Sequence, residues 1–96
     1  MIKSFGHKGL EVFFEAGSKA GIQANHADRL RLQLSALDKA KKPEDMNAPN
    51  WRLHPLHNKN KLKLEGHFGV WVSGNWRLTF KFDGEDAILV DYMDYH

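Results

Sequence analysis

Asp94, Tyr95 and His96 set a carboxylate, a phenol and an imidazole in three adjacent positions, within a closing stretch DYMDYH that starts at Asp91. The chain's own α-carboxylate sits on His96, and a negative neighbour favours the charged imidazole, moving its titration towards or above neutrality. A histidine charged near pH 7 is suited to giving a proton to a leaving oxygen. The competing reading is a frayed, solvated strand end, the usual condition of a terminus.

A second group of functional side chains lies between residues 52 and 63. The run RLHPLHNKNKLK contains Arg52, His54, His57, Lys59, Lys61 and Lys63 and no acid. Phosphate oxygens want such a set of donors, and a loop leading into a strand is well placed to line a groove. Lysines alternating with Leu62 and Leu64 equally describe an edge strand guarded against aggregation. Arg77 is the third candidate. On a central strand its guanidinium would be held rigidly enough to bind a phosphate bidentately, or it would pair with Asp91 or Glu85 across the sheet. Trp51, Trp71 and Trp76 offer stacking surfaces for bases, although the aliphatic neighbours of Trp76 place it in a core. Six histidines raise the question of zinc or nickel. Pro55 between His54 and His57 argues against a shared helical face, and there is neither an HExxH motif nor a cysteine, so no metal site and no cofactor is expected.

These side chains need elements to position them. Ile2 to Phe5 reads as a short first strand. Leu10, Phe13 and Phe14 follow at helical spacing, with Gly17 to end the helix. A second helix is predicted from an N-cap at Asn25, with Ala27, Leu30, Leu34 and Leu37 as its apolar stripe, ending before Pro43. One helical turn fits between Pro43 and Pro49. Beyond Asn50 the period changes to two. Trp76, Leu78, Phe80 and Phe82 share one face, with Asn75, Arg77, Thr79 and Lys81 on the other. HFGVWVS and DAILVDY read as neighbouring strands joined by turns at SGN and DGED, and Trp51 to Leu53 as a further strand. The prediction is therefore α+β: two N-terminal helices packed on a small, mainly antiparallel twisted sheet.

Ninety-six residues suffice for one modest core and not two, so residues 1–96 are expected to be a single domain. A chain that is 42% hydrophobic and 27% charged lies away from disordered compositions. No signal peptide or membrane-spanning stretch is visible, and the lack of cysteine suits a reducing cytoplasm. Net charge is only +2, yet a pI near 9.0 and the histidines permit a polyanionic partner.

Taken together, MIKSFGHKGL at the start, WRLHPL at 51–56, NWRLTFKF at 75–82 and the closing DYH resemble the HigB toxins, of the RelE superfamily in type II toxin–antitoxin systems. The likeness covers nearly the whole chain, in order and spacing. It implies a RelE-like microbial RNase fold and an endoribonuclease that enters the ribosomal A site and cuts mRNA during translation. It also implies a HigA-type helix-turn-helix antitoxin that represses the operon, so that operator DNA is met only through that partner. By position the family's terminal acid, tyrosine and histidine fall on Asp94, Tyr95 and His96, its strand arginine on Arg77 and the histidine of its HPL motif on His54. A lysine commonly follows HPL in the family; His57 stands there, leaving His57, Lys59 or Lys61 to supply that cation. The implied chemistry needs no metal, since the RNA 2′-hydroxyl attacks the adjacent phosphorus and leaves a 2′,3′-cyclic phosphate. Two other readings use the same residues: a non-catalytic nucleic-acid-binding module, and a catalytically weakened toxin homologue that still binds antitoxin.

Overall fold

The computed structural model describes residues 1–56 and 66–94. Helix α1 (Lys8–Ala16) is followed by a 3₁₀ turn at Ala24–His26, helix α2 (Ala27–Lys39) and a second 3₁₀ turn at Pro43–Met46. Strands β1 (His54–Pro55), β2 (Phe68–Ser73), β3 (Trp76–Asp83) and β4 (Asp86–Asp94) then form one antiparallel sheet in sequence order. This is the expected α+β arrangement of two helices and an antiparallel meander.

Helix α1 starts where His7 Nδ1 accepts the Leu10 N–H, satisfying one of the donors a helix start leaves open, and it stops at Gly17. There φ is 77° and the Gly17 N–H reaches Phe13 O, a left-handed cap that glycine adopts without a Cβ penalty. Helix α2 buries Ala27, Leu30, Leu34 and Leu37, the stripe its periodicity predicts. Its start differs from expectation. Asn25 lies inside the 3₁₀ turn and His26 takes the N-cap position without a side-chain cap bond. His26 is instead drawn into the interior.

Helix and sheet residues meet in one core that includes Leu10, Phe13, Leu30, Leu34, Val70, Leu78, Phe80, Val90 and Tyr92. Burying a leucine or phenylalanine removes enough apolar surface to contribute about 1.5–3 kcal/mol each, which fixes how the helices lie on the sheet. The α1 backbone also touches the loop before α2: a Cβ on Gly9 would lie 2.5 Å from Gly21 O. Only glycine permits that approach.

Both predicted hairpins form with glycine first in a two-residue loop, Gly74 at φ 57° and Gly84 at φ 63°. Positive φ at that position is what type II′ turns require. The predicted strands at the other two places are altered. Asn50 and Arg52 have left-handed φ of 70° and 52°, so Trp51 to Leu53 is not extended and β1 begins at His54. Residues Ile2 to Phe5 run parallel to β4 but meet it only in two bridges, Ile2 to Ala87 and Phe5 to Val90. The cause is a bulge: pairing passes from Thr79–Asp91 to Lys81–Ile88, so β4 carries one extra residue. Leu89 absorbs it at φ 54°, and its N–H goes to Ser4 Oγ. The bulge lets Ala87 and Val90, three apart, both face the core.

Candidate nucleic-acid interface

Strand register decides which sequence candidates can meet. On one face of the sheet His54, Gly69, Thr79 and Asp91 form a row across β1 to β4, and Trp71, Arg77 and Met93 form the next. His54 and Arg77 therefore share a face. Leu56 packs over Gly69 in this region, 3.3 Å from where a Cβ would be, and Thr79 is fully buried. Asp94 stands opposite Trp76, one step along from the Arg77–Met93 pair and on the alternate side of the pleat. His57, Lys59, Lys61, Lys63, Tyr95 and His96 lie outside the described residues.

Arg77 is half-buried at the start of central strand β3. Its Nη1 donates to the carbonyls of Gly74 at 3.1 Å and Trp76 at 3.2 Å. Met93 rather than Asp91 is opposite it, and Glu85 belongs to the turn beyond the other end of β3. Two carbonyls holding one guanidinium nitrogen fix the position of the side chain, and a planar guanidinium is the group suited to bidentate contact with an anion.

His54 Nδ1 lies 2.8 Å from Arg52 O. A carbonyl only accepts, so the ring donates through Nδ1 and Nε2 is left for another partner. That bond also fixes Arg52, whose guanidinium lies 4.5 Å from the centroid of the Trp71 ring. Arg29, reaching from α2, lies 5.2 Å from the same centroid. The indole is itself held, with Nε1 donating to Gly74 O, the carbonyl that also receives Arg77. Three arginines from α2, the loop before β1 and β3 are thus gathered around one tryptophan. Sequence reading did not single out Arg29, since nothing local signals a contact with a residue so distant in the chain. The Trp71 ring is taken by these two guanidiniums, whereas Trp76 packs against Tyr92 at 4.6 Å and the core, as its aliphatic neighbours predict.

Under the end of β4 lies a buried polar pair. His26 Nδ1 and Tyr92 Oη are hydrogen-bonded at 2.5 Å, with Trp76 and His7 edge-on to the pair. Burial pushes the His26 imidazole below its ordinary value of 6.5 and the Tyr92 phenol above 10.0, the latter opposed by a backbone hydrogen bond with Gln23. Both groups are therefore held neutral. They anchor β4 two residues before Asp94. Among the described residues no three His, Asp or Glu side chains are grouped to hold a metal ion, and no helix is long and apolar enough to cross a membrane.

Two N-terminal helices on a four-stranded antiparallel sheet, with an arginine held on its central strand, are consistent with the fold of a RelE-like toxin. A family profile described as RelE-like toxin of type II toxin–antitoxin system HigB matches residues 3–96. Endoribonuclease HigB of Proteus vulgaris is 43% identical over 96 residues, covering the full length of both chains. The chain belongs to the HigB-like family of type II toxins, and a cognate antitoxin is the partner that such a system implies.

Proposed function

We propose that residues 1–96 form one HigB-type toxin domain, a cytoplasmic, ribosome-dependent endoribonuclease that cuts mRNA in the A site. The observation that carries this reading is Arg77, on a central strand, held by the carbonyls of Gly74 and Trp76 and sharing its face with His54. A preset cation aimed at a phosphate stabilises charge that develops on phosphorus without reorganising during the reaction. In this scheme the 2′-hydroxyl attacks the phosphorus, a pentacoordinate phosphorane forms, and the 5′-oxygen leaves. Arg77 and a cation from His57, Lys59 or Lys61 stabilise the phosphorane. His96 transfers the proton, Asp94 orients it, and Tyr95 stacks on the substrate nucleotide. His54 and Lys63 bind the RNA strand.

The catalytic set lacks a strong built-in base, so alignment of the 2′-hydroxyl with the leaving oxygen falls to the ribosome. Positioning of that kind can lower a barrier by about 7–11 kcal/mol. The partner that silences the enzyme is a HigA-type helix-turn-helix antitoxin, which links the pair to operator DNA.

Primer extension on programmed ribosomes tests the proposal. The wild-type protein should cut within the A-site codon and leave free RNA nearly intact, and His96→Ala should slow cleavage roughly 100- to 10,000-fold. Unchanged cleavage by a folded His96→Ala protein removes His96 from the mechanism. Ribosome and RNA binding with no cleavage by the wild-type chain would instead identify the non-catalytic or weakened form.

A further inference from the structure

We propose that Arg29 and Arg52, both packed on the indole of Trp71, form a binding site for the RNA phosphodiester backbone that continues from Arg77 past the end of β1. The proposal rests on the RNA-cleaving reading above for its choice of anion.

Two guanidiniums share one ring, at 4.5 and 5.2 Å from its centroid, and like charges so placed repel each other. Among the described residues neither forms a salt bridge, so no described carboxylate answers the pair. Arg31 on the same helix supplies the contrast. It also stacks on an aromatic ring, Phe13, at 5.5 Å, but Asp28 answers its charge at 3.1 Å. Stacking and an ion pair explain Arg31; no described acid does the same for the two cations on Trp71. A guanidinium lying against an aromatic face keeps its N–H edge available, and that edge matches the spacing of phosphate oxygens.

The platform is built rigidly. Trp71 N–H donates to Trp51 O at 2.6 Å, Trp71 Nε1 to Gly74 O, and His54 Nδ1 to Arg52 O. Arg52 takes left-handed φ, a conformation unfavourable for a residue with a Cβ, at the point where its side chain reaches the ring. Beyond β1 the Trp51 carbonyl takes the Trp71 N–H, so the loop that carries Arg52 closes the strand edge, and the pair is reached through its side chains, Arg52 exposed and Arg29 part-buried. Arg77 shares the Gly74 carbonyl with the Trp71 indole, so successive phosphates of one strand can pass from Arg77 to the arginine pair.

The test measures binding and not cleavage. A short single-stranded RNA with every 2′-hydroxyl methylated is titrated by fluorescence anisotropy at several salt concentrations. Arg29→Gln and Arg52→Gln should each reduce the slope of log K against log salt by about 0.7, and the double variant by about 1.4, one phosphate contact apiece. Arg29→Lys should keep the slope, and Arg31→Gln should leave it at the wild-type value. A wild-type slope in the double variant overturns the site, as does an equal loss in Arg31→Gln, which would reduce the effect to net charge. If either glutamine variant unfolds, the wild-type protein still decides: RNA must change the fluorescence component that Trp71→Phe removes, and no change overturns the site. A methylated RNA hairpin run alongside distinguishes sources, since a larger effect there points to ribosomal RNA helices and a larger effect on the single strand to the message. Loss of these slopes in a protein that cuts nothing on ribosomes would leave the site standing and reject the cleavage reading.

Discussion

Tyr92→Phe tests whether the His26–Tyr92 pair fixes β4 as a neutral, buried hydrogen bond. Both residues are 4% exposed, so the hydroxyl's removal leaves His26 Nδ1 without its partner and without water to replace it. An orphaned buried polar group costs about 1–3 kcal/mol. For a chain of this size 1 kcal/mol corresponds to roughly 4–8 °C in Tm, so a loss of about 2 kcal/mol lowers Tm by roughly 8–16 °C near pH 8. The pH dependence has a defined sign on each side. The unfolded His26 takes up a proton as pH falls through about 6.5, while the folded imidazole resists, so the unfolded state binds more protons and stability falls below that pH. The unfolded Tyr92 loses its proton above about 10, while the folded phenol keeps it, so stability falls again as pH rises past that point. Thermal melts of wild type and Tyr92→Phe from pH 5 to 11, compared as differences, cancel the carboxylates and lysines common to both. The gap between the two curves should narrow above about pH 10, because the variant has no phenol to ionise. Equal Tm values at pH 8, or a constant gap across pH 10, would refute this account.

Three further outcomes follow from close contacts and strain. Gly9→Ala should destabilise the chain by about 1–3 kcal/mol in urea unfolding, since its Cβ would sit 2.5 Å from backbone Gly21 O, which cannot rotate away. Thr79→Val should raise stability by about 1 kcal/mol by the same measurement, because the fully buried Thr79 Oγ1 has no hydrogen-bond partner among the described residues. Leu89→Gly should be neutral or stabilising by up to about 1 kcal/mol, relief of left-handed strain outweighing the added freedom of the unfolded glycine; Leu89→Ala should gain nothing.

Elements whose residues repeat at a local period were legible in the sequence. The α2 stripe of Ala27, Leu30, Leu34 and Leu37, the cap at Gly17 and the strand β3 all depend on residues a few positions apart, and all three form, although Thr79 of the polar face of β3 is buried along with Leu78 and Phe80. Where reading failed, a distant contact had overridden local preference. Asn25 is a good N-cap, but the bond from His26 to Tyr92 draws the chain through a 3₁₀ turn instead. Trp51 to Leu53 has strand composition, yet left-handed residues on both sides of Trp51 and its bond to Trp71 hold it as a loop. The β4 bulge is invisible in DAILVDY because it arises from pairing, with Ser4 taking the displaced Leu89 N–H.

The sequence by itself determined the kind of protein this is: which residue types are present for acid–base and phosphate chemistry, which stretches are helical or extended, and the family whose motifs they follow. Tertiary structure alone decided which side chains meet. Arg77 and His54 share a face because of strand register, Asp94 stands on the alternate side, and Arg29 joins Arg52 on Trp71 because α2 packs beside Trp71, whose carbonyl also receives Gln33. Chemistry resides in residue type, which is local; a site depends on register and packing, which no window of sequence contains.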